Sequence, residues 1–289
     1  AQTPPVRSAL TMDHRHPPAE VHIDADLVAA LLEQQLPHLD GSELTFVDEG
    51  WDNVTYHTGS DYAVRIPRRE VAVELILNEQ KWLPIIASWL PIAVPRPVGI
   101  GVPSALFPWP WSVVEWIPGA TADICPLGAA QAAPLARILR SLHRPAPPHA
   151  PPNPLRGVPL QERQHVVEER LQRLDLQELV RPWKEAIEAP PARDRVWLHG
   201  DLHPRNVLVQ DGALAGLIAW GDVTAGDVAT DLARVDALRL RSCAHALPGG
   251  LCAVRAGPGP SGGLGCALRV RTHRQRGAPS RANRSLRHA

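Results

Sequence analysis

Apolar and polar positions set out a strand-rich block early in the chain, with stretches at helical spacing on either side. Glu43 to Val47, Asn53 to Thr58 and Tyr62 to Ile66 each read as a strand. Asp48-Glu49-Gly50-Trp51-Asp52 joins the first two, and Gly59-Ser60-Asp61, a hairpin turn by composition, joins the last two. Ahead of this block a helix opens at Ile23-Asp24, runs to about Gln35 and stops before Pro37. Asp24 is its N-cap, and Ile23 with Val28 forms its hydrophobic staple. After the block, Glu70 to Trp82 holds no Pro or Gly and places Leu75, Glu79 and Trp82 on one helical face.

The second half is mainly helical. Trp111-Ser112-Val113-Val114-Glu115-Trp116-Ile117 is an apolar strand running into the Pro118-Gly119 turn, and Pro108-Trp109-Pro110-Trp111 before it reads as packing. Gly128 to His143 is helical, with Leu135, Ile138, Leu139 and Leu142 apolar. Seven prolines between residues 145 and 159 leave no regular element. Helices follow at about Leu160 to Leu174 and Leu176 to Ile187. Val196 to Leu198, Val207 to Val209 and Ala213 to Ala219 read as strands, and Asp227 to about Leu240 as a last helix.

Composition bounds this picture. A chain of 289 residues is long enough for two lobes or two modest domains. No apolar run approaches the length of a membrane span, and the start lacks the continuous apolar core of a signal peptide, so a soluble, cytoplasmic chain without a membrane partner is expected. Cys125, Cys243, Cys252 and Cys266 form no C-x-x-C pair or zinc spacing and read as free thiols. The histidines are scattered, and His14 and His16 lie in a Pro-rich leader as solvated residues. The net charge of zero hides an asymmetry: every acid lies at or before Asp236, while ten Arg and no Lys follow from Arg239 onward. The remaining body is acidic, which would attract a cationic small molecule and repel nucleic acid, the basic tail excepted.

One stretch carries polar residues at a spacing that a specific chemistry requires. Between the strands at Val196 and Val207 lies His199-Gly200-Asp201-Leu202-His203-Pro204-Arg205-Asn206. Asp201 could orient a hydroxyl and accept its proton, and the Asn206 carbonyl oxygen could ligate a hard cation such as Mg²⁺. Phosphoryl-transfer enzymes hold Asp and Asn at the same separation in H-R-D-x-x-x-x-N. A turn that happens to carry polar residues is the alternative. The loop resembles that of the aminoglycoside phosphotransferase family, a branch of the protein-kinase-like fold whose signature is H-G-D, three or four residues, then N. Gly216 to Ala233 also matches that family's G-x-I-D-W-G-D-x-x-x-G-D-x-x-x-D-L-A pattern at all but one position.

The resemblance implies further roles. Gly50-Trp51-Asp52-Asn53 stands where relatives cover the nucleotide phosphates, so Asn53 is a candidate there. Ala63-Val64-Arg65-Ile66-Pro67 has the form of the strand whose inward cation neutralises the α and β phosphates, which makes Arg65 a candidate in place of the usual Lys; an edge-strand Arg facing water is the alternative. Glu79, a few residues before Leu83-Pro84, is its implied ion-pair partner, with Glu74 the rival and a solvated helix face the alternative for either. Val114, Glu115 and Trp116 occupy the hinge whose backbone binds the adenine edge. The implied cofactors are ATP and Mg²⁺, and the implied reaction moves the γ-phosphate of ATP to a hydroxyl of an aminoglycoside, a macrolide or a metabolite alcohol, with a cationic antibiotic favoured by the acidic body.

The failing position is Ala219. Ile218-Ala219-Trp220-Gly221 stands where the family has I-D-W-G, and that aspartate bridges Mg²⁺ ions in kinases. A methyl group cannot ligate Mg²⁺, and Asp222, three residues on, is the only nearby acid that could take over. The expectation is an impaired enzyme, with a non-catalytic nucleotide-binding pseudo-kinase or scaffold as the other reading. The tail adds a second departure: after about Arg241 it is Gly, Pro and Arg without helical period, as an out-of-frame reading of a GC-rich gene would be, or as a basic tail able to contact nucleic acid would be. The expected architecture is α+β and two-lobed, protein-kinase-like, with a small mainly β N-lobe and a mainly helical C-lobe. Its parts are a loose leader at 1–23, an N-lobe at 24–118, a C-lobe at 119–240 and the tail at 241–289.

Overall fold

The computed structural model describes residues 17–235 apart from 40–42, 60, 191 and 193. Most of the leader, the expected end of the last helix at 236–240, the tail and three of the four cysteines lie outside the described residues.

The strand-rich block forms a five-stranded sheet. Its strands are β1 (Leu44–Glu49), β2 (Asn53–Thr58), β3 (Tyr62–Pro67), β4 (Pro97–Gly101) and β5 (Trp111–Glu115), in the order β1-β2-β3-β5-β4 and antiparallel throughout. β1 is longer than its pattern suggests, because a bulge between Phe46 and Asp48 lets pairing continue to Glu49 opposite Val54. The first helix, α1 (Ala25–Gln35), packs on this sheet. Asp24 caps it, accepting the Leu27 amide at 2.9 Å. Val28, Leu31 and Leu32 of α1 share one buried cluster with Val54, Tyr56, Val64, Ile66, Phe107, Trp111 and Val113. Trp111, fully buried there, is packing, as its setting among prolines indicated.

Helix α2 (Val73–Ala87) departs from the expected span. Glu70–Ala72 is a separate 3₁₀ turn, and α2 runs on through Pro84 to Ala87. Continuing the helix keeps Leu83, Ile86 and Ala87 in the core, while Pro84 itself faces water; their burial offsets the hydrogen bond that Pro84 cannot donate. The expected face is confirmed: Glu79 and Trp82 are buried and Leu75 half-buried.

The remaining helices are α3 (Ala132–Leu142), α4 (Gln164–Arg173), α5 (Gln177–Ile187) and α6 (Ala229–Val235). The short strands are β6 (Ala120–Thr121), β7 (Val196–Leu198), β8 (Val207–Gln210), β9 (Ala213–Leu217) and β10 (Thr224–Gly226). A second buried cluster joins Trp82, Leu83 and Ile86 of α2 to Leu135, Ile138, Leu139 and Leu142 of α3 and to Trp197, Leu202, Val207, Leu217 and Trp220. The apolar spacing read for α3 is therefore its core face. β7 and β8 flank the polar loop but belong to different sheets, β7 with β10 and β8 between β6 and β9. The loop is thus held at both ends by separate pairs of strands. No helix among the described residues is long and apolar enough to cross a membrane.

Candidate active site

The loop after β7 is shaped from below by one buried acid. Asp231, at the start of α6 and without solvent exposure, accepts the amides of His199 and Gly200, each at 2.9 Å, and meets His143 Nε2 at 3.0 Å. Gly200 stands at φ +82°, and a Cβ there would lie 2.2 Å from the Asp222 carbonyl oxygen, so the middle residue of His-Gly-Asp can only be glycine. His199 is buried with its Nε2 3.0 Å from the Ile218 carbonyl, its Nδ1 accepting the Asp201 amide at 3.2 Å, and its ring against Trp220. Burial lowers its pKa below 6.5 and outweighs the opposing pull of Asp231, Asp201 and Asp222, which keeps the ring neutral in this donor–acceptor arrangement.

The two residues singled out by spacing are in contact. The Asn206 side-chain amide donates to the Asp201 carbonyl at 2.9 Å and to its Oδ2 at 3.3 Å. The 3₁₀ turn Pro204–Asn206 that brings them together is capped by His203, whose Nδ1 accepts the Arg205 amide. With its nitrogen engaged, Asn206 retains Oδ1 as the atom that could face a cation.

Asp201 is ringed by basic side chains. Arg156 Nη2 lies 2.9 Å and Arg234 Nη2 3.5 Å from Oδ1, and His203 Nε2 lies 3.2 Å from Oδ2. Burial alone would raise the Asp201 pKa. The His203 hydrogen bond and the charges of Arg156, His203 and Arg234 overcome it and hold the carboxyl at about 2, against an ordinary 3.8. Such a group orients a hydroxyl well and takes its proton poorly.

Across the cleft, Arg65 pairs with Glu79, not Glu74, whose side chain is exposed. Glu79 is 1 % exposed and its second oxygen accepts the Trp220 amide at 2.9 Å. Asp52, Asn53, Arg65, Glu79, Asp201, Ala219 and Asp222 all line this cleft. Asn53 Oδ1 is buried there without a hydrogen-bond partner among the described residues. The hinge residues are elsewhere. Val114, Glu115 and Trp116 do not line the cleft, and the amides of Glu115 and Trp116 already donate to the carbonyls of Arg96 and Asp61. The Trp116 ring packs on His57 at 4.5 Å. Those two amides would not be free for a nucleobase edge.

The strand expected to reach Ala219 ends at Leu217, because Ala219 adopts the left-handed conformation, φ 62° and ψ 62°. Its methyl group lines the cleft where an acid is expected. Asp222 lines the same cleft, but its Oδ1 accepts Asn153 Nδ2 at 2.8 Å and faces Arg156 Nε at 3.8 Å. No group of three or more His, Cys, Asp or Glu among the described residues could hold a metal. Asn206 lacks the companion acid that Ala219 would have supplied, and the nearby Asp201 and Asp222 are engaged by Arg156, His203 and Asn153, so the residues present do not fit Mg²⁺. Arg65, the cation that lines the cleft, suits a phosphate oxygen.

Arg156, Arg234, Asn153 and the anchoring role of Asp231 were not legible as site residues. The signal for the first existed in Asn153-Pro154-Leu155-Arg156-Gly157, an Asn followed by a Gly in a Pro-rich run, which marks a tight turn.

The model of the phosphotransferase enzyme family (APH) matches residues 43–249. No curated protein matches the chain. Among solved structures, the chain is similar to APH(2")-IIia in complex with GDP and kanamycin, with a TM-score of 0.61 and 20 % identity over 72 % of this chain and 76 % of that one. It is similar to apo macrolide 2'-phosphotransferase MphH from Brachybacterium faecium (TM-score 0.53, 20 % identity, 73 % and 77 % covered). It is also similar to APH(2")-IIa in a ternary complex with streptomycin and ATP (TM-score 0.52, 19 % identity, 74 % and 76 % covered). At these identities the likeness is one of fold.

Proposed function

The chain belongs to the phosphotransferase enzyme family, and from that premise we propose that it moves the γ-phosphate of ATP to a hydroxyl of a small molecule. The observation that carries the reading is the meeting, in one cleft, of the Arg65–Glu79 ion pair with Asp201. ATP supplies the phosphoryl group. Arg65, fixed by Glu79, neutralises phosphate oxygens, and Asn53 lines the same cleft. Asp201 orients the acceptor hydroxyl, and its low pKa keeps it ionised at any working pH. Asn206 holds Asp201 in place through its side-chain amide. In this reading the sheet with α1 and α2 is the N-lobe, residues 24–118, and residues 119–240 are the C-lobe, as in a two-lobed kinase-like enzyme working in the cytoplasm, where ATP is supplied.

Turnover is impaired in this reading, because Ala219 presents a methyl group where an acidic metal ligand belongs. Losing one electrostatic stabiliser of a transition state costs about 10²-fold or more. The second reading, a non-catalytic nucleotide-binding protein, draws on the same residue. ATP consumption by the native chain and by Ala219→Asp, measured against a panel of aminoglycosides, macrolides and hydroxylated metabolites, separates the two. Acceptor-dependent consumption raised by the substitution supports the enzyme; ATP binding without consumption in both forms supports the scaffold.

A further inference from the structure

Resting on the phosphotransferase reading, we propose that the acceptor carries an anionic group (carboxylate, sulfate or phosphate) near its reacting hydroxyl, and that Arg156 and Arg234 receive that anion.

Donors crowd both oxygens of Asp201. Arg156 at 2.9 Å hydrogen-bonds Oδ1 and Asn206 at 3.3 Å hydrogen-bonds Oδ2, while Arg234 at 3.5 Å and His203 at 3.2 Å stand within ion-pair distance of the same two oxygens. A carboxylate offers about four lone-pair sites, so an arriving hydroxyl competes with these donors for them. Asn206 is 7 % exposed and is tied to the Asp201 backbone as well. His203, as exposed as Arg156, is tied by the Arg205 amide on its Nδ1; the two arginines, each more than a quarter exposed, have the longest reach, so a guanidinium is the group that yields.

A yielding guanidinium needs a new partner. The Arg156 Nε–H is buried and already lacks a hydrogen-bond acceptor, with Asp222 3.8 Å away. An anion on the acceptor answers this need, because the planar fork of an arginine matches carboxylate and phosphate oxygens. A cationic acceptor offers neither guanidinium such a partner, and the pull of the acidic body on it acts at longer range and is screened by salt.

Arg156 is also built into position. Asn153 Oδ1 accepts the amides of Leu155 and Arg156, at 2.9 and 3.0 Å, and its Nδ2 holds Asp222. The next residue, Gly157, stands at φ +69° with its amide donating to Thr230 Oγ1, and it lies so close to Gly226 that a Cβ on Gly226 would fall 2.2 Å from the Gly157 carbonyl oxygen. A side chain delivered by so constrained a turn is preorganised, which lowers the cost of binding.

Three sugars that differ chiefly in charge test the proposal: D-glucuronate, D-glucose and D-glucosamine. Their binding to the full native chain in the presence of ADP is measured by calorimetry and ligand-observed NMR, independently of turnover. Glucuronate should bind most tightly and glucosamine least, the ends differing by about tenfold, as one charge-assisted hydrogen bond supplies. In Arg156→Gln and Arg234→Gln, whose folding is checked by thermal melting, the order should collapse to within about threefold, while Arg156→Lys retains part of it. Glucosamine binding as well as glucuronate, glucuronate failing to bind, or an order that survives both substitutions would overturn the proposal. ADP binding and its loss in Arg65→Ala are measured separately; a chain that binds the sugars in the expected order but not ADP would instead count against the phosphotransferase reading.

Discussion

The Trp220 amide donates to Glu79 Oε2 at 2.9 Å while Arg65 donates to the other oxygen of the same carboxylate. Strand β3, helix α2 and the turn after β9 therefore converge on one acid that is 1 % exposed. Replacing Glu79 by Ala strands a half-buried guanidinium and a buried amide together. The expected cost is about 3–5 kcal/mol, read from urea denaturation. The double variant Arg65→Met with Glu79→Leu should be less destabilised than Glu79→Ala alone, since it removes the charge as well as its partner.

Ala219 carries a second consequence at the same turn. An L-residue in the left-handed region costs about 1–2 kcal/mol, and Gly escapes that cost while Asp and Asn bear it better than most. Ala219→Gly should raise stability by about 1 kcal/mol without creating activity. Ala219→Asp should fold as well as the native chain and raise acceptor-dependent ATP consumption by about 10²-fold or more. A rate unchanged by the acid would show that this position is not where the native chain is limited.

In the Ala219→Asp background, Asp201→Asn should abolish transfer and leave ADP affinity within about threefold of its value, because Asp201 faces the acceptor and Arg65 the phosphates. Equal losses in binding and turnover, measured by calorimetry and steady-state kinetics, would contradict that division of roles.

Gly200→Ala should be far more damaging than its size suggests. The added methyl would meet the Asp222 carbonyl at 2.2 Å on a backbone at φ +82°, and relief requires moving the loop that Asp231 holds. A loss of about 3 kcal/mol or more is expected in thermal melting, together with loss of any transfer activity.

Acid should destabilise the fold in two windows. The folded pKa of His199 lies below 6.5, so its contribution is complete above that value and is lost as pH falls beneath it toward the folded pKa. The folded pKa of Asp201 is about 2 against 3.8, so its contribution is complete above 3.8 and is lost as pH falls from there to about 2. The second window is worth roughly 2 kcal/mol. Unfolding free energies across pH 2 to 8 should show both steps, and Asp201→Asn should remove the lower one.

The sequence was most legible where the chemistry is local. The strand at Asn53–Thr58, the Asp24 cap, the apolar face of α3 and the Asp201–Asn206 pair each depend on residues a few positions apart, and pattern alone found them. What pattern could not supply is convergence from far along the chain. Arg156 is 45 residues from Asp201 and sits in a segment without regular structure. Asp231 reaches the loop 31 residues before it. Nor does spacing show that the Glu115 and Trp116 amides are already paired. The left-handed Ala219 was hidden for another reason: no propensity for that conformation attaches to alanine, so the strand pattern seemed to run through it.

That left-handed alanine has a genetic corollary. Any alanine codon becomes an aspartate or glutamate codon by a single change at its second base, and the backbone at position 219 already has a shape that an aspartate tolerates. Under the proposed function, where that codon is GCT or GCC, catalytic competence is one nucleotide away from the chain as it stands. Colonies bearing it and challenged with a toxic acceptor should yield revertants at that codon before any other.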